Sequence, residues 1–139
     1  METKPTTLPD DIGRLALRLA VGGLLLLHGI HMLRHGTGNI PELLQQNQLP
    51  AVLEYGIYAG EVVAPILILL GLIARTGGLL VAVTMVFAVY LQLRPKIGQL
   101  NEFGGWALEL NALYFAGGLA IMFLGAGRLS LSRGRRFLD

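Results

Sequence analysis

From Leu19 to Leu27 the chain reads LAVGGLLLL, and only then does a polar side chain, His28, interrupt an apolar run that continues as GIHML. A water-soluble protein could hide such a helix only inside a large polar shell. Here 14% of the residues are charged and the mean hydropathy is +0.60, against about 25% charged residues in soluble domains. The solvent that suits this segment is a bilayer, whose core takes about 20 apolar residues per helix. Three further apolar stretches follow with short connections. The expected fold is all-α, a four-transmembrane-helix bundle of up-down topology. Its helices fall at about 12–33, 51–74, 77–93 and 103–124, in one domain over residues 1–139.

The connections are informative. Residues 1–11 are polar and contain two prolines, and Asp10 or Asp11 is placed to cap the first helix. This N-terminus has neither the basic region nor the small-residue site of a cleaved signal peptide. The loop 34–50 has Pro41 at a suitable first-turn position for a short surface helix, and ARTGG at 74–78 reads as a tight turn. In the second span, Pro65 cannot donate to the carbonyl of Glu61, so a kink and a free acceptor are expected beside that carboxylate. Lys4, Arg14, Arg18, Arg75, Arg128, Arg133, Arg135 and Arg136 fall on one side of the bundle, against Arg34, Arg94 and Lys96 on the other. By the positive-inside rule both termini are cytoplasmic, in a multi-pass protein of the plasma or inner membrane. The basic C-terminal tail, beside a membrane helix, suits anionic lipid rather than nucleic acid.

Ionisable residues inside such spans are costly and are expected to face the bundle interior. His28, Glu61 and Glu109 are the candidates, each isolated among apolar neighbours. Counting along the helices places all three roughly 7 to 15 Å below the outer surface, with Tyr90, and then Tyr58 or His31, at the rim. Heptad spacing sets Glu54 over Glu61 and Glu102 over Glu109, and His31 and His35 continue the line of His28. Three readings fit these residues. One is a hydrogen-bonded network that only locks the helices together. Another is a pocket for a quinone or similar small molecule, or a proton relay. The third is a metal site of His28, Glu61 and Glu109, although the Glu-x-x-His repeat of di-iron bundles is missing. The chain has no cysteine, which excludes disulfide and thiol redox chemistry. A haem would need His28 as axial ligand, with no signal for a second ligand. Gly22, Gly29, Gly56, Gly60, Gly117 and Gly118 offer small-residue faces, for packing within the monomer or for a homo-oligomer.

Four stretches, in this order, carry a resemblance: LLLLHGIHML, AGEVVAPILILLGLIART, WALELNALYFAGG and the closing GAGRLSLS. Over about residues 14–132 the chain resembles the DoxX family of small four-helix membrane proteins. The resemblance implies that His28, Gly29, Glu61, Arg75, Glu109, Gly125, Gly127 and Arg128 occupy family positions. Two positions depart from the pattern: Met32 stands where a lysine is usual, and Ser132 where an aspartate closes the last motif. Founding members are small subunits of thiosulfate:quinone oxidoreductase or terminal quinol oxidase complexes. The resemblance therefore implies a redox-associated accessory subunit with a catalytic partner rather than a stand-alone enzyme. More distant relatives are cargo receptors and assembly factors, which implies the alternative of a non-enzymatic assembly factor or carrier.

Overall fold

The computed structural model describes residues 7–133. Lys4, Arg135 and Arg136, three of the cations used for orientation, lie outside the described residues. Among the described residues five helices follow one another: α1 (Leu8–His35), the short α2 (Ile40–Gln46), α3 (Leu53–Leu70), α4 (Ala74–Lys96) and α5 (Glu109–Leu124). The long helices α1, α3, α4 and α5 run antiparallel to their chain neighbours and close a ring in that order, with α2 lying across the end opposite the termini. The chain is an all-helical four-helix membrane bundle. Helices α1, α3 and α4 are long and apolar enough to cross a bilayer, and α5 is a shorter apolar helix.

Each boundary has a local cause. Helix α1 begins earlier than expected because Thr7, not an aspartate, caps it. The Asp10 amide reaches Thr7 Oγ1 at 3.5 Å and the Thr7 amide donates back to Asp10 Oδ2 at 2.9 Å, a closed capping box. Helix α3 stops at Leu70 rather than near 74. Gly71 takes the left-handed conformation, φ 67°, and the amides of Gly71 and Leu72 bond back to Ile68 and Leu67, a Schellman ending.

Helix α5 starts at Glu109, six residues later than the apolar pattern suggests. Gly104 turns the chain at φ 81°, and Asn101 then holds the loop. Its Oδ1 accepts from the amides of Phe103 and Gly105, at 3.0 and 2.9 Å, and its Nδ2 donates to Glu109. Trp106 donates its indole N–H to the Ile97 carbonyl at 2.7 Å. Irregular backbone beside a membrane is tolerated when its polar groups are met by protein, and Asn101 and Trp106 supply that. Glu102 consequently lies in a loop, and the proposed Glu102–Glu109 stripe does not form.

Two π-helical turns break the α pattern, Ala59–Val63 in α3 and Val89–Leu93 in α4. Both end two residues before a proline, Pro65 and Pro95. A proline ring clashes with the carbonyl four residues back and offers no N–H. Widening the preceding turn relieves that clash, which is how the kink expected at Pro65 is realised.

Two apolar clusters fill the bundle. One, towards the termini, joins Val21, Leu25, Ala64, Ile68, Val81, Met85, Tyr114 and Ile121. The other, under α2, joins Met32, Ile40, Leu44, Ile57 and Leu91. Among the glycines singled out, Gly22, Gly29, Gly60, Gly117 and Gly118 all meet another helix of the same bundle, whereas Gly56 faces open space.

Candidate functional site

Among the described residues, two groups of polar side chains inside the bundle differ in kind. The first lies at the end carrying the termini. Arg18 of α1 is 2% exposed. Its Nε donates to the Ile68 carbonyl and Nη2 to that of Leu69, both at 2.7 Å, while Nη1 reaches Ala126 and Leu129 at 3.0 and 2.9 Å. The α3 carbonyls are among the last four of that helix, which have no partner within it. A cation there also meets the negative helix end. Arg75 serves α5 in the same way, through Met122 and Phe123. Asp11, 1% exposed, pairs with Arg128 Nε at 2.5 Å and accepts from the Arg128 amide at 3.1 Å. Gly127, at φ 73°, brings the closing GAGR turn so near α1 that a Cβ would press on Arg14 and Asp11. Ser132, in the aspartate position of the resemblance, is buried and shares a 3.0 Å bond with Ser130.

The second region lies between the two apolar clusters. Glu61 sits at the centre of the α3 π turn. The backbone of Gly29 on α1 lies directly against the Glu61 carbonyl, where any Cβ would overlap that oxygen. On one side of Glu61 is a cavity of about 130 Å³ lined by Leu25, His28, Met85, Leu110, Asn111 and Tyr114. On the other is a smaller one, about 80 Å³, bordered by Thr84, Gln92 and Ile40 of α2. The His28 ring stands edge-on to Tyr114, 6.3 Å between centroids at 86°. Glu61 makes no hydrogen bond to another side chain among the described residues.

His28 and Glu61 thus line one cavity, and the other expected residues lie elsewhere. Glu109 is exposed at the start of α5, accepts from Asn101 Nδ2 at 3.1 Å, and does not line the cavity. Residues two apart on a helix point about 200° from each other. Once Asn111 faces inward, Glu109 must face away, and Tyr114, about 60° from Asn111, takes the inward place. Tyr90 is exposed and lies under the Arg94 guanidinium, 3.8 Å from its ring centroid. Tyr58 packs on the cluster beneath α2. His31 is exposed and stacked on His35 at 4.3 Å, with His35 Nδ1 3.0 Å from the His31 carbonyl. Glu54 accepts from Thr37 at 2.6 Å, far along α3 from the cavity. Among the described residues no three His, Asp or Glu side chains gather as a metal group, so the His28–Glu61–Glu109 metal site does not form. The residues that counting depth had passed over are Asn111 and Tyr114. Their signal was present: two polar side chains three apart in an apolar helix share one face.

A family model described as DoxX matches residues 13–93, which runs from within α1 into α4 and ends before α5. A protein of Bacillus subtilis (strain 168) described as "Putative oxidoreductase CatD" is 32% identical over 79 residues, covering 57% of this chain. The match takes in 58% of that relative's length. No solved structure matches the chain.

Proposed function

The chain belongs to the DoxX family, and from that premise we propose that it is an accessory subunit of a membrane redox system, binding a quinone-like ring at the His28–Glu61–Tyr114 cavity. The observation that carries this reading is a half-buried carboxylate in mid-bundle that lines a cavity and makes no side-chain hydrogen bond among the described residues. A buried ionisable group in a membrane helix is held in place by pairing or by use. Around this one stand an imidazole, a phenol and a carboxamide, which together both donate and accept hydrogen bonds. A quinone ring accepts two hydrogen bonds through its oxygens, and the quinol donates them. Reduction of the ring takes up two electrons and two protons. His28 and Glu61 are the groups suited to hold and pass those protons, and the electrons would come from a partner protein. Kinship with a relative described as a "Putative oxidoreductase" is consistent with this role.

Purified protein in phosphatidylcholine nanodiscs, titrated with the tailless duroquinone by equilibrium binding, tests the reading. Saturable binding that is lost in Glu61→Gln and in His28→Ala supports it. Absence of saturable binding to the native chain rejects it. Co-purification of an unrelated membrane client with no dehydrogenase would instead favour the carrier or assembly role.

A further inference from the structure

The cavity beside Glu61 is smaller than the roughly 300 to 1,000 Å³ of pockets that enclose a drug-sized ligand. It has room for a ring and not for a chain attached to it. A second hollow adjoins it. This groove of about 300 Å³ runs between α4 and α5 beneath the 97–108 loop, lined by Val86, Val89, Ile97, Trp106, Ala112 and Phe115. Val86 and Trp106 are exposed along it. The Trp106 N–H is already given to Ile97, so what the indole offers the groove is apolar ring. Two residues, Met85 and Asn111, line both hollows. They touch each other, Asn111 Nδ2 lying 3.7 Å from Met85 Sδ. The wall between groove and cavity is therefore a weak amide–thioether contact made by an unbranched side chain that repacks easily.

We propose that the α4–α5 groove is the tail subsite of the ligand whose ring occupies the Glu61 cavity, and that the Met85–Asn111 pair is the partition through which the two join. The ligand class is an aromatic or quinonoid ring with hydrogen-bonding oxygens and an alkyl or prenyl chain. When Met85 swings aside, the Asn111 amide turns from sulfur to a ring oxygen, a stronger acceptor. The ring then lies inward, towards His28, Glu61 and Tyr114, and the chain lies outward along Val86, Val89 and Phe115. Loop 97–108 covers the groove, and the Asn101–Glu109 bond fixes that loop. Glu109 is thus a positioning residue, acting on the groove through Asn101. The inference rests on the ring site proposed above and adds where the chain goes.

The test uses a benzoquinone with a decyl chain that ends in a diazirine, irradiated with the native chain in phosphatidylcholine nanodiscs. Labelled peptides are mapped by mass spectrometry. Labelling is expected to concentrate on α4 and α5 at 86–89 and 112–115, and to be competed by excess decylubiquinone. Ala112→Phe, which fills the groove, is expected to lower it by about tenfold. Val89→Phe fills the same groove from α4 and serves if Ala112→Phe does not fold. Met85→Ala, which removes the partition, is expected to raise the rate of labelling. Labelling spread over the lipid-facing sides of all helices, or insensitive to competitor and to both filling variants, overturns the tail subsite. Duroquinone binding in that case still stands or falls separately, so the two proposals fail distinguishably.

Discussion

The two polar regions of this bundle contrast in one respect. At the end carrying the termini, Arg18 and Asp11 are almost fully buried and every polar atom meets a protein partner. At mid-bundle, Glu61 and His28 border open volume, and Glu61 bonds to no side chain among the described residues. A buried charge whose partners are all protein atoms is architecture: it fixes where helix ends meet. A charge left facing a cavity spends stability without fixing geometry, and such positions are where binding is expected. The contrast also separates two kinds of glycine. Gly127 lets a turn reach the Asp11 ion pair, whereas Gly29 lets α1 press on the Glu61 carbonyl and so shapes the cavity.

The contrast breaks most visibly at Arg18. Arg18→Met leaves carbonyls of α3 and the closing turn without their donor, and each buried acceptor left unsatisfied costs about 1 to 3 kcal/mol. Thermal unfolding in detergent should show a collapse in stability. Arg18→Lys should recover little, since a single ammonium cannot reach four carbonyls in the directions a guanidinium does. Asp11→Asn comes next. The amide oxygen still accepts from the Arg128 amide, but the charge-assisted bond to Nε is lost, about 1.5 to 3 kcal/mol for a bond to a charged group. The same thermal assay reads it. If Asp11→Asn is silent, the architectural description of this end is wrong.

The mid-bundle residues should behave oppositely. Glu61→Gln, which keeps the side chain's shape and removes no side-chain hydrogen bond, is expected to leave thermal stability near native, while duroquinone binding disappears. A loss of several kcal/mol at Glu61 would make this region structural too and erase the distinction. The smallest effect is expected at Glu109→Gln. The amide still accepts from Asn101, so thermal stability and duroquinone binding should both stay near native. A marked loss of ring binding there would return Glu109 to the cavity that the helix geometry denies it.

Some of this was legible before any coordinates. The apolar spans and the scarcity of charge determine a membrane bundle, because nothing else can solvate Leu19–Leu27. The lone His28 and Glu61 stand out for the same reason, and Pro65 beside Glu61 announced a broken turn, found as Ala59–Val63. Depth along a helix is a linear quantity and can be counted from sequence, and His28 and Glu61, placed at similar depth by that count, line one cavity. Rotation about the helix axis cannot be counted without knowing which face is inward. That unknown put Glu109 in the cavity and left Asn111 and Tyr114 out. The tertiary structure decided it, through the packing of α5 on α4 and α1, because two residues of error in phase turn a side chain to the opposite face. It also decided the role of Arg18. The sequence offers this residue both lipid headgroups and the bundle interior, and only the arrival of the α3 C-terminus and the GAGR turn at one point gives its guanidinium four carbonyls to bind.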